Sequence, residues 1–205
     1  ETSDGIELGV RRVGERSAFE FTLFHNRYDD FIESLISLGV DPATGLVTYQ
    51  SQNLGEVTIE GAELRGEYHF AFLPGLRAIG ALSYARGEND ETGERIASVD
   101  PHRAVLGLDY AAPSQDWGME FIATLVDGKR VDDEALFAAP GYALFDVTGW
   151  VELRENVKLV AGVFNLGDRA YWEWASVQGR AVNDPAIDRY TQPGINGSVA
   201  LRVTF

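Results

Sequence analysis

Nine stretches of this chain alternate apolar and polar residues with a period of two, and the breaks between them alternate short and long. The third stretch shows the constraint most sharply. Ala62, Leu64, Gly66, Tyr68 and Phe70 fall on one face, and Gly61, Glu63, Arg65, Glu67 and His69 on the other. That is the period of a strand. No soluble core accepts the second face, because unpaired buried charge is too costly, whereas a water-filled lumen accepts it freely. The last stretch alternates as strictly: Ile195, Gly197, Val199, Leu201, Val203 and Phe205 oppose Asn196, Ser198, Ala200, Arg202 and Thr204. The short breaks are Gly14–Arg16, Leu73–Gly75, Pro113–Gln115 and Arg154–Asn156. The long ones are Leu38–Val47, with Asp41-Pro42 and Gly45, then Arg86–Asp100, Asp127–Pro140 and Leu166–Gly194. Short turns at one rim and long loops at the other are expected of an antiparallel barrel in an outer membrane. A soluble sandwich has no reason to keep that asymmetry.

The remaining composition fits the same reading. The chain has 205 residues, no Cys, 22 Gly and a formal charge of −15. Without Cys, no disulfide framework or thiolate metal site can form. The negative balance argues against nucleic acid as a partner. No charge-free stretch is long and apolar enough for a membrane-spanning helix. Any crossing therefore has to be made by strands. Tyr28, Tyr68, Tyr84, Tyr110, Trp117 and Tyr142 lie near strand ends, where interfacial aromatic girdles are expected. The second strand is expected to run on through Phe31 and Ile32. The acidic, polar opening Glu1-Thr2-Ser3-Asp4 is not a secretory leader, and the chain is expected to begin partway through a longer one.

Several segments resemble the TonB-dependent receptors. Glu1-Thr2-Ser3 before an alternating strand is similar to the start of a late barrel strand in that family. Tyr28-Asp29-Asp30-Phe31-Ile32-Glu33 resembles its YxDFI segment, and the run from Gln52 to Glu63 resembles its N…GxE strand. Phe164-Asn165-Leu166-Gly167-Asp168-Arg169-Ala170-Tyr171 is similar to the xNLxDxxY motif before the final strand. Tyr171-Trp172-Glu173-Trp174, Val177-Gln178-Gly179 and Asp188 to Gly194 most resemble the haem, haemoglobin and hemophore branch. The resemblance implies an all-β, antiparallel transmembrane β-barrel segment: about nine consecutive strands of a barrel of about 22. Residues 1–205 would be its C-terminal portion, with the plug domain and earlier strands absent. It implies a Gram-negative outer-membrane receptor for an iron-containing ligand. That ligand would be haem or a haem carrier, with uptake driven by the TonB complex through the plug. Outer-membrane lipid, the missing strands and plug, and a haem-carrier protein are the implied partners. Haem or an iron chelate would be cargo, with no resident cofactor. A ferric siderophore or vitamin receptor is the alternative within the family. A soluble β-domain that binds protein or sugar through its loops is the alternative outside it, and a glycosidase would rest only on abundant carboxylates.

No catalytic constellation stands out, so no enzyme is expected, and no metal site is assigned. Trp172, Trp174, Arg180, Arg189 and Tyr190 share the longest break. Aromatic residues with Arg are typical contact groups, and the two Trp could equally belong to the outer girdle. Arg65, Arg77, Arg103 and Arg202, interleaved with Glu63, Glu67 and Asp109, are expected to form a lumenal ladder of charge. His25, His69 and His102 lie far apart. His102, after Pro101, is read as a polar strand-end residue in preference to a haem ligand. Asp132-Asp133-Glu134 offers hard oxygens without the ligand order of a calcium loop.

Overall fold

The computed structural model describes residues 1–41, 43 and 47–204. Expectations for Phe205, Pro42 and Gly45 fall outside the described residues. Nine strands form one sheet in which every neighbouring pair is antiparallel. In chain order they are β1 (Thr2–Val13), β2 (Ser17–Asp29), β5 (Val57–His69), β6 (Leu76–Asn89) and β7 (Arg103–Ala111). The rest are β8 (Trp117–Val126), β9 (Tyr142–Arg154), β10 (Val157–Phe164) and β11 (Asn196–Val203). The two labels skipped, β3 (Ile32–Val40) and β4 (Val47–Asn53), are a separate antiparallel hairpin.

That hairpin corrects the sequence reading. β2 does not run through Phe31 and Ile32. Asp30 turns the chain with φ 56°, in the left-handed region that Asp tolerates, and ends the strand. Phe31 then exchanges backbone hydrogen bonds with Leu54 (2.8 Å) and Gly55 (3.0 Å), which closes the hairpin at its base. β3 runs through Leu38 to Val40 and β4 begins at Val47, so the break between β2 and β5 begins at Asp30 and not at Leu38. The break placed from Arg86 starts later, because β6 continues to Asn89.

The short turns are tight for local reasons. At the β5–β6 turn Gly75 has φ 92°, and a Cβ there would lie 2.0 Å from the Ala111 carbonyl oxygen, so only glycine fits. Gln115 turns the β7–β8 connection at φ 58°, with its N–H donating to the Ala112 carbonyl (2.8 Å).

The register separates two faces. Leu106 lies between Gly80 and Ala123, Leu108 between Ala78 and Phe121, and Leu201 opposite Leu159. These positions form the apolar outer face, with Leu106 54% exposed and Val199 75% exposed in the absence of lipid. Phe121 stacks on Phe145 across it at 6.1 Å. On the opposite face, Glu20 reaches Arg65 and Arg11, while Arg77 reaches Glu67 (3.2 Å) and Asp109 (3.6 Å). Arg65, Arg77, Glu67 and Asp109 of the expected lumenal ladder are thus paired, while Arg202 lies opposite Lys158 in the register. The paired members are solvated, so each pair contributes at most about 1 kcal/mol.

The girdle is narrower than the sequence suggests. Tyr68, Tyr110 and Trp117 stand on the outer face at the short-turn rim, where Tyr110 meets Trp117 at 5.2 Å. Tyr84 stands at the opposite rim with the His102 ring tilted against it at 4.3 Å. Tyr28 and Tyr142 do not belong to the girdle. Their parity puts them on the inner face: Tyr28 pairs with buried Val57, and Tyr142 is 8% exposed.

The compact hydrophobic core lies outside the wall. Ala139, Trp174 (4% exposed) and Val177 (0%) form it, with Ala97, Val131, Phe137, Trp172, Ile187 and Tyr190 packed around them. All belong to the long connections. Trp174–Val177 is a single helical turn, α1, and Ile187–Tyr190 is a 3-10 turn. The connection 90–102 folds over the inner face of β6. At Gly87 an added Cβ would meet Val99 Cγ2 at 2.7 Å and Ile96 Cβ at 3.2 Å.

Two measurements test this division between wall and cap. Leu106 lies midway along β7 between the two aromatic rims, so Leu106→Arg in the full barrel is expected to cost about 2–4 kcal/mol in a bilayer. Arg65→Gln on the inner face is expected to cost no more than about 1 kcal/mol. Urea unfolding in lipid vesicles reads both, and equal losses would contradict the facing. In the cap, Trp174→Ala removes a buried aromatic worth about 3–5 kcal/mol. Amide exchange across 127–141 and 165–195 is then expected to quicken by about two to three decades, with the wall strands unchanged. Trp174→Phe is expected to quicken it by about tenfold, for the one hydrogen bond lost.

Candidate functional site

The four long connections, 30–56, 90–102, 127–141 and 165–195, leave the same rim and fasten to one another. Glu33, 3% exposed, reaches from the hairpin into the cap. Its carboxylate accepts from the Ser98 hydroxyl (3.0 Å) and the Gln178 amide (3.4 Å), joining three connections through one side chain. Asn89, at the end of β6, donates to the Leu54 carbonyl (2.8 Å) and accepts from the backbone N–H groups of Glu91 and Thr92. Asp90 N–H donates to the Glu56 carbonyl (2.9 Å).

Lys129 fixes the third connection to the second and fourth. Its ammonium donates to the carbonyls of Ile96 (3.3 Å) and Val99 and lies 5.0 Å from the centre of the Trp174 ring. Burial holds its pKa below the ordinary lysine value, opposed by the charges of Asp100 and Glu33. The Trp174 indole N–H donates to the Ala97 carbonyl (2.7 Å). Arg95 pairs with Asp132. Backbone bonds from Phe137 to Arg180 (2.7 Å) and from Val182 to Ala135 (2.8 Å) tie the third connection to the fourth.

The longest connection is pinned at its two ends by the Asn165-to-Tyr171 motif. Asn165, 3% exposed and with φ 51°, donates its amide to the carbonyls of Arg169 (2.9 Å) and Pro193 (3.1 Å) and accepts from Arg169 N–H (2.9 Å). Its own N–H donates to Asp146 (2.7 Å), and Asp168, with φ 47°, accepts from Ile195 N–H (2.9 Å). Asn and Asp are the non-glycine residues most tolerant of that backbone region, which is why they occupy these positions.

The five candidate contact residues do come together, but most are engaged internally. Trp174 is buried in the cap core, and Trp172 donates to the Ile187 carbonyl (3.0 Å) and packs edge-on to Phe137. Neither stands in the outer girdle. Arg180 pairs with Asp184 (2.8 Å), donates to the Tyr190 hydroxyl, and lies 3.8 Å from the centre of that ring. The Ala186 N–H, and then Arg180, hold the Asp184 carboxyl below its ordinary range. Of the five, only Arg189 is exposed. His102 Nδ1 lies 3.7 Å from Asp127, and His25 Nδ1 lies 3.5 Å from Glu60. Asp132 is committed to Arg95, and Asp133 accepts from the Ala135 N–H (2.9 Å). Among the described residues no group of three or more His, Asp or Glu is placed to hold a metal ion.

Sequence reasoning missed Glu33, Asn89 and Lys129. The one available signal was Glu33 itself, an isolated carboxylate among Ile32, Ser34, Leu35 and Ile36. Cavities accompany the cap, and two of them border Trp174. One of about 200 Å³ lies beneath it, lined by Arg103, Tyr142, Trp172 and Glu173. The other, of about 470 Å³, lies among the connections themselves, between the hairpin and the packed loops.

Comparison with known proteins places this architecture. A family model described as TonB dependent receptor-like, beta-barrel matches residues 1–166. Hemoglobin-haptoglobin utilization protein B of Neisseria meningitidis serogroup C is 26% identical over 100% of this chain and 31% of its own length. Lactoferrin-binding protein A of Neisseria meningitidis serogroup A is 26% identical over 100% of the chain and 25% of its own. Among solved structures, the copper transporter OprC superposes with a TM-score of 0.81 at 21% identity, covering 99% of this chain and 31% of that one. The ferric enterobactin receptor of Pseudomonas aeruginosa gives 0.73 at 25% identity, with 99% and 31% covered. The chain thus spans about a third of these proteins or less. Paired strands with one apolar and one charged face, short turns at one rim, long fastened loops at the other and the family match agree: this chain belongs to the TonB-dependent receptors, as part of their outer-membrane β-barrel.

Proposed function

We propose that this chain is a portion of the barrel of a longer receptor that takes up haem, free or from a haem-carrying protein, at the cell surface. The observation that carries the reading is the likeness, along the whole chain, to a haemoglobin-haptoglobin utilization protein. The packed cap supports it physically, since capture of a macromolecule favours a preorganised surface. Further strands and a plug would complete the lumen. The open edges of β1 and β11 support that, because unpaired strand edges are not tolerated in hydrocarbon. Energy would come from TonB through the plug. In this reading Arg189, with exposed Val182 in the same connection, meets the carrier. Trp172, Trp174, Arg180 and Tyr190 hold the loop that presents them. The likeness to a ferric enterobactin receptor supports a second reading, uptake of a ferric siderophore.

Growth separates the two. The full-length receptor, expressed in a strain stripped of its other iron receptors, is expected to support growth on haemoglobin or haem as the only iron source, and to fail when TonB is deleted. Growth on a ferric siderophore alone would replace the haem reading with the second. Arg189→Ala is expected to weaken haemoglobin capture about fivefold or more. His102→Ala is expected to leave the haem absorption band unchanged, because that ring rests on Tyr84 beside Asp127 at the rim of the wall.

A further inference from the structure

The cavity of about 470 Å³ has walls contributed by all four connections and none by the membrane-crossing part of a strand. Ile36 and Leu54 line it from the hairpin side, Ile96 and Ala97 from the second connection, Leu136 from the third and Trp174 from the fourth. The charged groups in the same wall are largely satisfied within the cap. Glu33 is held by Ser98 and Gln178, Lys129 by two carbonyls, and Arg95 by Asp132. Arg130 and Glu94 also line it and are exposed, and the rest of what the cavity offers a visitor is mainly apolar surface.

That chemistry discriminates between visitors. The lining contains no His, Tyr, Cys or Met, so it has none of the usual donors for a haem iron. Most of its polar groups are engaged, and Glu33, Glu94, Asp132 and Asp133 stand against Arg95, Lys129 and Arg130, so an anionic, oxygen-rich chelate gains little there for the hydration it loses. A large apolar side chain loses nothing. The surroundings add a sign. The four connections carry sixteen Asp and Glu against six Lys and Arg, and 30–56 contains no Lys or Arg at all. A basic partner surface is favoured next to such a field.

We infer that this cavity is the anchor pocket for a carrier protein: it receives a large apolar side chain that the carrier presents beside Lys or Arg. The inference rests on the proposed capture of a carrier and specifies where that capture is concentrated. Interfaces draw most of their energy from a few such anchors in preformed pockets. The Glu33, Lys129 and Trp174 fastenings then have a role beyond local stability, since they hold the pocket open at a fixed shape before the carrier arrives.

The test uses the full-length receptor in outer-membrane vesicles, with haemoglobin, haemoglobin-haptoglobin and lactoferrin as carrier probes and free haem as the small probe. Ala97→Phe fills the cavity, Ile36→Glu charges its wall, and Ile36→Leu is the conservative control. The first two variants are expected to weaken capture of the carrier that the wild type binds by about tenfold or more, with free-haem uptake unchanged and Ile36→Leu like the wild type. If one variant fails to reach the membrane, the other decides. Wild-type capture by the filled or charged variant overturns the pocket and leaves the proposed function standing. Loss of free-haem uptake together with capture also overturns it, since the cavity would then hold the chelate. A wild type that captures no carrier but takes up haem overturns the anchor alone, and one that takes up neither removes both readings.

Discussion

In hydrocarbon a backbone N–H or C=O has no water to turn to, and the wall of this chain follows from that constraint. The wall meets it by pairing each inner strand of the nine on two sides in an antiparallel ladder, with a register shift at Val157 and Lys158 between β9 and β10. Once the ladder is fixed, parity decides the fate of each side chain. Leu108 and Asp109 are neighbours in sequence, yet one faces lipid while the other meets Arg77 in the lumen. The wall is therefore specified less by packing than by register.

The cap obeys different physics. It stands in water, and its stability comes from removing Trp174, Val177 and Ile96 from that water and from polar groups paired across connections. One chain thus combines a wall whose apolar face gains little by touching other apolar groups with a loop assembly that gains almost everything that way. This division explains why Ile96, Trp174 and Val177, among the most buried residues, lie in the loops, and why Val57 is buried at the loop end of β5.

The wall was largely legible in the sequence because period-two alternation is local and repeated. Glu63, Arg65 and Glu67 opposite Leu64 and Gly66 declare their faces without any knowledge of neighbours. The cap was not legible, because its contacts join residues remote along the chain. Nothing around Glu33 signals that Ser98 and Gln178 will satisfy it, and nothing around Lys129 signals a cradle of two distant carbonyls. Trp172 and Trp174 read correctly as belonging together in one loop, yet composition could not reveal that Trp174 faces inward to Ala97. Tyr28 and Tyr142 were misplaced because nearness to a strand end was weighed above parity. The hairpin β3–β4 was hidden because its residues continue the apolar pattern of β2 past Asp30, and a single left-handed residue redirects the chain.

The clamp made by Asn165 and Asp168 bears on how such a chain diversifies. It binds the two ends of the longest connection to each other and to β9 through Asp146, independently of what lies between. Residues inside the clamp can be lengthened, shortened or exchanged without disturbing the register of β10 and β11. Doubling the enclosed length costs only about 0.6 kcal/mol of closure entropy. A lineage carrying this motif can therefore trade one recognition segment for another while keeping the same wall, which makes the specificity of the surface far more evolvable than its architecture.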